Sequence, residues 1–297
     1  MVAGTSGIAT SWRVVDRPER DLLGEGLLWS ARENAVFWTD IIGRKLWRLA
    51  LDDGGIRHWQ MPEMIGWIIE RQAGGFVVGL QSGFHRLDLD PFRLTAIANP
   101  HPERPANRLN DAKADAAGRI WAGSMPVSDG PPAQWPATGA LYRLDPDGRV
   151  TSHDDGLTIA NGPALSPDGT TLYHTDSARG AVYRFALLPD GSLGPRTRHL
   201  EFDRRQGAPD GMTCDADGGL WIAFFGGARV ARYTPDGGFD RAIALPTPNI
   251  TNVAFAGAGL DRMFVTSSGQ GLTDAHAGAL FEVDPGCTGL APHRFAG

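Results

Sequence analysis

The chain has 297 residues, 42% of them hydrophobic, enough to bury a large core, and its 28 basic and 34 acidic residues leave a formal net charge of −6. That balance, with no Lys/Arg-rich run, excludes the electrostatic footprint of a nucleic-acid binder. The 39 glycines and 21 prolines exclude long helices as the main theme, and no 18-residue apolar run offers a membrane span.

In chain order, the N-terminal stretch MVAGTSGIATSWRVV lacks the apolar core of a signal peptide. With Cys214 and Cys287 as the only cysteines, a reduced, soluble, cytoplasmic protein is expected, outside any membrane. SWRVVDR then reads as a strand that pairs with the last part of the chain and removes an open sheet edge. From there, short β-branched and aromatic runs recur between Gly, Asp and Pro: AVFWTD, GFVVGL, RIWAGS, TLYHTD, LWIAFF and RMFVTSS. Each is followed by a second strand with a shared phrase: GRKLWRL, SGFHRLD, GALYRLD, GAVYRFA, GARVARY and GALFEVD. The residues at its Arg position, Arg48, Arg86, Arg143, Arg184, Arg232 and Glu282, lie 38, 57, 41, 48 and 50 residues apart. A period of about 47 residues carrying several short strands marks a β-propeller blade. Six occurrences predict an all-β, six-bladed β-propeller, one closed domain over residues 1–297. The Pro-rich stretch from Met125 to Gly139 falls inside the third blade, between its second and third strands, and reads as a structured loop at one mouth.

The segment opening each blade carries the chemistry. LGEGLLW, MIGWII, LNDAKAD, ANGPAL, PDGMTC and TNVAFA align on Glu25, Ile65, Asn110, Asn161, Asp210 and Asn252, at steps of 40, 45, 51, 49 and 42 residues. Innermost strands run along the central channel, so a column common to all six forms a ring around the axis. Five of its six members bear side-chain oxygens, and glycines follow as Gly26, Gly66, Gly162 and Gly211, which permits close backbone approach. One Asn-Gly or Asp-Gly pair alone is ordinary turn chemistry. A ring of such oxygens in a narrow opening is costly to desolvate unless a polar substrate or a hard divalent ion such as Ca²⁺, Mg²⁺ or Mn²⁺ sits there.

LLGEGLLW, NRLNDAKAD with GRIWAGSM, IANGPALSPDGTTLYHTDS and PDGMTCDADGGLWIAFFGGARVARY resemble the gluconolactonase or regucalcin (senescence marker protein) family of sugar lactonases, from about Leu22 to Gly269. The resemblance implies a six-bladed propeller holding one divalent metal, Ca²⁺ favoured, with Zn²⁺, Mn²⁺, Mg²⁺ or Fe²⁺ compatible. It places the metal ligands on Glu25, Asn161 and Asp210, and substrate contacts on Arg108 and Asn110. Some members carry a substrate-contacting Glu just after the position of Met125; here Ser128 or Asp129 stands near that place, and the loop holding Trp135 is expected to set specificity.

The activity so implied is metal-dependent hydrolysis of a sugar acid lactone, such as a pentono- or gluconolactone, by a monomer or weak oligomer. Asp210 is the expected ligand and base; Arg108 and Asn110 would bind sugar hydroxyls or the ring oxygen. Strand alternation turns Asp111 into the blade, and Trp67 is a candidate apolar wall where blade two supplies Ile65. His174 reads as structural. The absence of HExxH, G-x-S-x-G and a strand-to-helix glycine loop excludes zinc-protease, serine-hydrolase and nucleotide-binding readings. The alternatives are a phosphotriesterase or paraoxonase-like esterase, and a non-enzymatic calcium-binding propeller.

Overall fold

The structure, a computed structural model, describes residues 12–297. Residues 1–11, which include most of the stretch read against a signal peptide and Ser11 of the closing strand, lie outside the described residues.

Strand β1 (Trp12–Val14) precedes the first full meander, β2 (Gly24–Ser30), β3 (Ala35–Asp40), β4 (Lys45–Ala50) and β5 (Ile56–Gln60). Blade two comprises β6 (Ile65–Glu70), β7 (Phe76–Leu80), β8 (Gly83–Leu89) and β9 (Phe92–Ala98). Blade three comprises β10 (Asn107–Ala114), β11 (Ile120–Pro126), β12 (Gly139–Leu144) and β13 (Val150–Leu157). Blade four comprises β14 (Ala160–Leu165), β15 (Thr171–Asp176), β16 (Ala181–Ala186) and β17 (Thr197–Glu201). Blade five comprises β18 (Ala208–Cys214), β19 (Leu220–Phe225), β20 (Arg229–Tyr233) and β21 (Phe239–Ala244). Blade six joins β22 (Ile250–Ala256), β23 (Arg262–Ser267) and β24 (Leu280–Val283) to β1. The molecule is thus the all-β, six-bladed propeller that the repeat predicts, with three short 3₁₀ turns and no α-helix among the described residues.

Position within a blade decides burial. The first two strands of a blade have neighbours on both faces, so β2, β3, β6 and β7 are buried throughout and tolerate unbroken apolar runs. Outermost strands such as β5 and β9 face water and alternate or turn polar. The core lies between blades: Trp67, Val77 and Phe84 of blade two pack on Leu109, Ile120 and Leu144 of blade three. Burying one such side chain contributes about 1.5–3 kcal/mol.

Ring closure follows the expected route. Trp12, Arg13 and Val14 of β1 pair with Val283, Glu282 and Phe281 of β24, so the start of the described chain supplies the outer strand of the last blade. The far end of the chain is tied down as well. Gly289 bonds Leu260 at 2.8 Å near blades five and six, while Phe295 and Ala296 bond Glu70 and Gly118 at 2.8 and 3.0 Å near blades two and three. Arg294 adds an ion pair to Glu70 at 2.9 Å. The C-terminal segment is therefore a strap across the mouth where the innermost strands end.

Every innermost strand carries a register shift at the ring column. The shifts fall between Glu25 and Leu28, Ile65 and Trp67, Leu109 and Ala112, Asn161 and Ala164, Pro209 and Met212, and Ile250 and Val253. A bulge inserts a residue, bends the strand and suspends the two-residue alternation of side chains. It is the local device that aims the column at the axis.

Candidate active site

Glu25, Asn110, Asn161, Asp210 and Asn252 are gathered at the N-terminal ends of five innermost strands, each no more than 6% exposed. Asn252 Nδ2 donates to Glu25 Oε2 at 2.8 Å and to Asp111 Oδ2 at 3.2 Å, linking blade six to blades one and three. Asn110 Nδ2 donates to Asn161 Oδ1 and to the Ala160 carbonyl, both at 2.7 Å. Asn161 Nδ2 in turn donates to Ser177 Oγ at 2.9 Å, which fixes the amide so that its oxygen stays on the ring side. Arg108 Nη1 donates to Asn110 Oδ1 at 2.5 Å and to the Leu109 carbonyl at 3.1 Å, and its other guanidinium nitrogens make no hydrogen bond to the described residues.

Glycines allow the strands to meet. A Cβ on Gly66 would lie 2.5 Å from the Asn110 carbonyl oxygen, and one on Gly211 would lie 2.5 Å from Asn252 Nδ2. Gly26, at φ +57°, would clash with the Gly66 carbonyl at 2.6 Å. Close approach, anticipated from the glycines after the column, is thus a steric requirement here.

Three expectations need correction. Asp111 does not turn into its blade: it bonds Asn252 across the axis, because the bulge between Leu109 and Ala112 lets residues 110 and 111 both face inward. Trp67 is no wall of the opening; it is 1% exposed and packed in the core between blades two and three, tilted against Phe84. Ile65, the apolar member of the column, lies in the core between blades one and two instead of on the axis. Sequence reasoning also assigned no role to Asn252, although it stood in the column.

Ser128 and Asp129 are not brought into this network. Asp129 is exposed and Ser128 half-buried in the loop between β11 and β12, where Trp135 Nε1 donates to the Asp129 and Gly130 carbonyls at 3.1 and 3.0 Å. That loop does rise beside the site, since its base residue Met125 is the cross-strand partner of Arg108. His174 is fully buried in blade four, and neither ring nitrogen is hydrogen-bonded among the described residues, so it takes no part in the network.

Three buried carboxyls share the ring. Burial is the main cause that raises the carboxyls of Glu25, Asp111 and Asp210 above their ordinary range, and their mutual repulsion adds to it for Glu25 and Asp210. Burial also pulls the Arg108 guanidinium down to about 10. Asp210 Oδ1 is buried and has no hydrogen-bond partner among the described residues. Three enclosed carboxylates against one guanidinium, with an unpartnered oxygen among them, fit a bound cation. Among the described residues no cluster of three or more His, Cys, Asp or Glu is spaced to hold a metal by itself, so the expected set relies on the amide oxygen of Asn161.

Residues 23–269 match the family described as "SMP-30/Gluconolactonase/LRE-like region". The chain is 35% identical to 6-deoxy-6-sulfogluconolactonase of Pseudomonas putida, over 96% of this chain and 98% of that protein. It is likewise 35% identical to L-arabinolactonase of Azospirillum brasilense, over 94% of this chain and 93% of that one. Its fold is similar to that of the calcium-binding protein regucalcin of Agrobacterium tumefaciens, with a TM-score of 0.87, 28% identity, and coverage of 97% and 99%.

Proposed function

Because the chain belongs to the SMP-30/gluconolactonase/LRE-like family, we propose that it hydrolyses a sugar acid lactone to the aldonic acid with the help of one divalent ion. The observation that carries this reading is the unpartnered, buried Oδ1 of Asp210 beside two further enclosed carboxylates. Glu25, Asn161 and Asp210 would hold the ion. When bound, it supplies positive charge for a lactone carbonyl whose oxygen gains charge as water adds. Calcium is the favoured ion, in line with the calcium-binding regucalcin relative; Zn²⁺, Mn²⁺, Mg²⁺ and Fe²⁺ suit the same oxygen donors less selectively.

The protein's own groups account for the rest. Arg108 offers its free guanidinium nitrogens to a sugar hydroxyl or the ring oxygen, which orients the ester. Asn110 holds Arg108 and Asn161 in place and keeps one Oδ1 lone pair for a substrate hydroxyl. Asp210 takes a proton from water as that water adds to the carbonyl carbon, and returns it to the ring oxygen as the C–O bond opens. Ser128 and Asp129, on the loop rising beside Arg108, would meet the far side of the sugar and sort substrates. The reading includes one domain over residues 1–297, a monomer or weak oligomer, and cytoplasmic operation, supported by two cysteines present as free thiols.

Acid release from a panel of aldonolactones, before chelation, after it, and after adding back single divalent ions, tests the proposal. Turnover should vanish with the metal and return with it; an unchanged rate in chelated protein overturns the metal-dependent reading. Asp210→Ala and Asn161→Ala should retain the β-sheet circular dichroism spectrum, lose metal binding, and lose at least about 100-fold in kcat. Arg108→Ala should mainly raise KM. Organophosphate turnover exceeding lactone turnover would favour the paraoxonase-like alternative.

A further inference from the structure

We propose that the tunnel holds a second binding site at its opposite end, for a small carboxylate with an apolar body. The inference does not rest on the reaction above. Trp29, Ile69, Lys113, Leu165, Cys214 and Phe255, three or four residues beyond the ring column in each innermost strand, line a cavity of about 330 Å³. At about 3.3 Å per residue this places the cavity roughly 10–13 Å further along the axis. The Asn252–Asp111 hydrogen bond, running from blade six to blade three, crosses the axis at the ring column, ahead of this cavity. The C-terminal strap forms the outer wall through residues 290–293. The volume is at the lower end of the roughly 300–1,000 Å³ of small-molecule sites.

The chemistry of the walls selects the ligand. They are mainly aliphatic and aromatic, with Ser166, Thr213 and His293 as polar members, and Lys113 is the one Lys, Arg, Asp or Glu residue among them. Of the chain's two lysines, Lys45 is ion-paired with Glu19, whereas Lys113 has no ion pair among the described residues. Asp111, two positions earlier in β10, feels the Lys113 charge but spends its carboxylate on Asn252 and the Ala112 amide. A half-buried lysine without an ion pair, at a largely apolar chamber, favours a counterion. A single carboxylate satisfies it, and an alkyl or aryl body fills the remaining space. A sugar acid, hydroxylated all round, would find only Ser166, Thr213 and His293 as side-chain partners and leave most of its hydroxyls against apolar wall.

Isothermal titration of the full chain with octanoate, benzoate and their matched alcohols, 1-octanol and benzyl alcohol, tests the site. The carboxylates should bind saturably at one site per chain, at least tenfold more tightly than the alcohols. Lys113→Met should erase that preference, and Leu165→Trp, which fills the cavity, should abolish carboxylate binding. Arg108→Ala, at the other mouth, should leave it unchanged. Absence of saturable octanoate binding, equal binding of acid and alcohol, survival of binding in Leu165→Trp, or its loss in Arg108→Ala would each overturn the proposal. The acid-to-alcohol comparison needs no variant and decides the matter if Lys113→Met fails to fold.

Discussion

His174 shows how a single enclosed side chain makes this fold acid-sensitive. Burial, reinforced by the Arg196 charge, lowers its imidazolium pKa to about 3, against an ordinary value of 6.5. The folded state therefore favours the neutral ring. Its stabilising effect is complete above the unfolded value near 6.5 and is lost as pH falls towards 3, at up to about 1.4 kcal/mol per pH unit. Urea unfolding at pH 6.5 and pH 5 should show a loss of about 2 kcal/mol from this group, and His174→Leu should remove most of that dependence. The residue types of the candidate site were legible because five oxygen-bearing side chains fell into one column. Their partners were not. The amide of Asn161 is oriented by Ser177 of its own blade and by Asn110 of blade three, contacts distant in sequence that no local pattern encodes.

At the scale of the strand, the bulge governs both what could be read and what could not. Alternation is a rule for regular strands, and all six innermost strands suspend it at the ring column. That is why Asp111 was misdirected and why Trp67 was given to the opening instead of the core. The glycines were informative because their role is steric and independent of register. Gly66→Ala would press a methyl group to 2.5 Å from the Asn110 carbonyl oxygen and 2.8 Å from that of Leu109, both backbone atoms that cannot swing away. The expected result is a loss of about 1–3 kcal/mol in urea unfolding, accompanied, if the proposed metal site is right, by weaker metal binding in calorimetric titration, since Asn110 of β10 holds the proposed ligand Asn161. A normal metal titration in a destabilised variant would uncouple the two effects.

For the whole molecule, periodicity was the legible quantity. Six similar units with no central break allow a closed ring and little else, and the closing strand follows from the need to cover the last sheet edge. The extra chamber and the strap were not legible, because they arise from where the strands end in space. Deleting the chain through Val14 removes the partly buried Trp12 and Val14 from blade six and leaves β24 unpaired along one side. Stability should fall by about 3 kcal/mol, with light scattering appearing before the thermal transition.

The same closure sets a timetable for synthesis. Arg13 and its partner Glu282 are separated by 269 positions, so the first strand leaves the ribosome long before its counterpart has been translated. Blades one to five can form as they emerge, but the nascent chain carries an unsealed seam until β24 is free to pair with β1. Until then the sheet edges on either side of the seam lie open to mispairing.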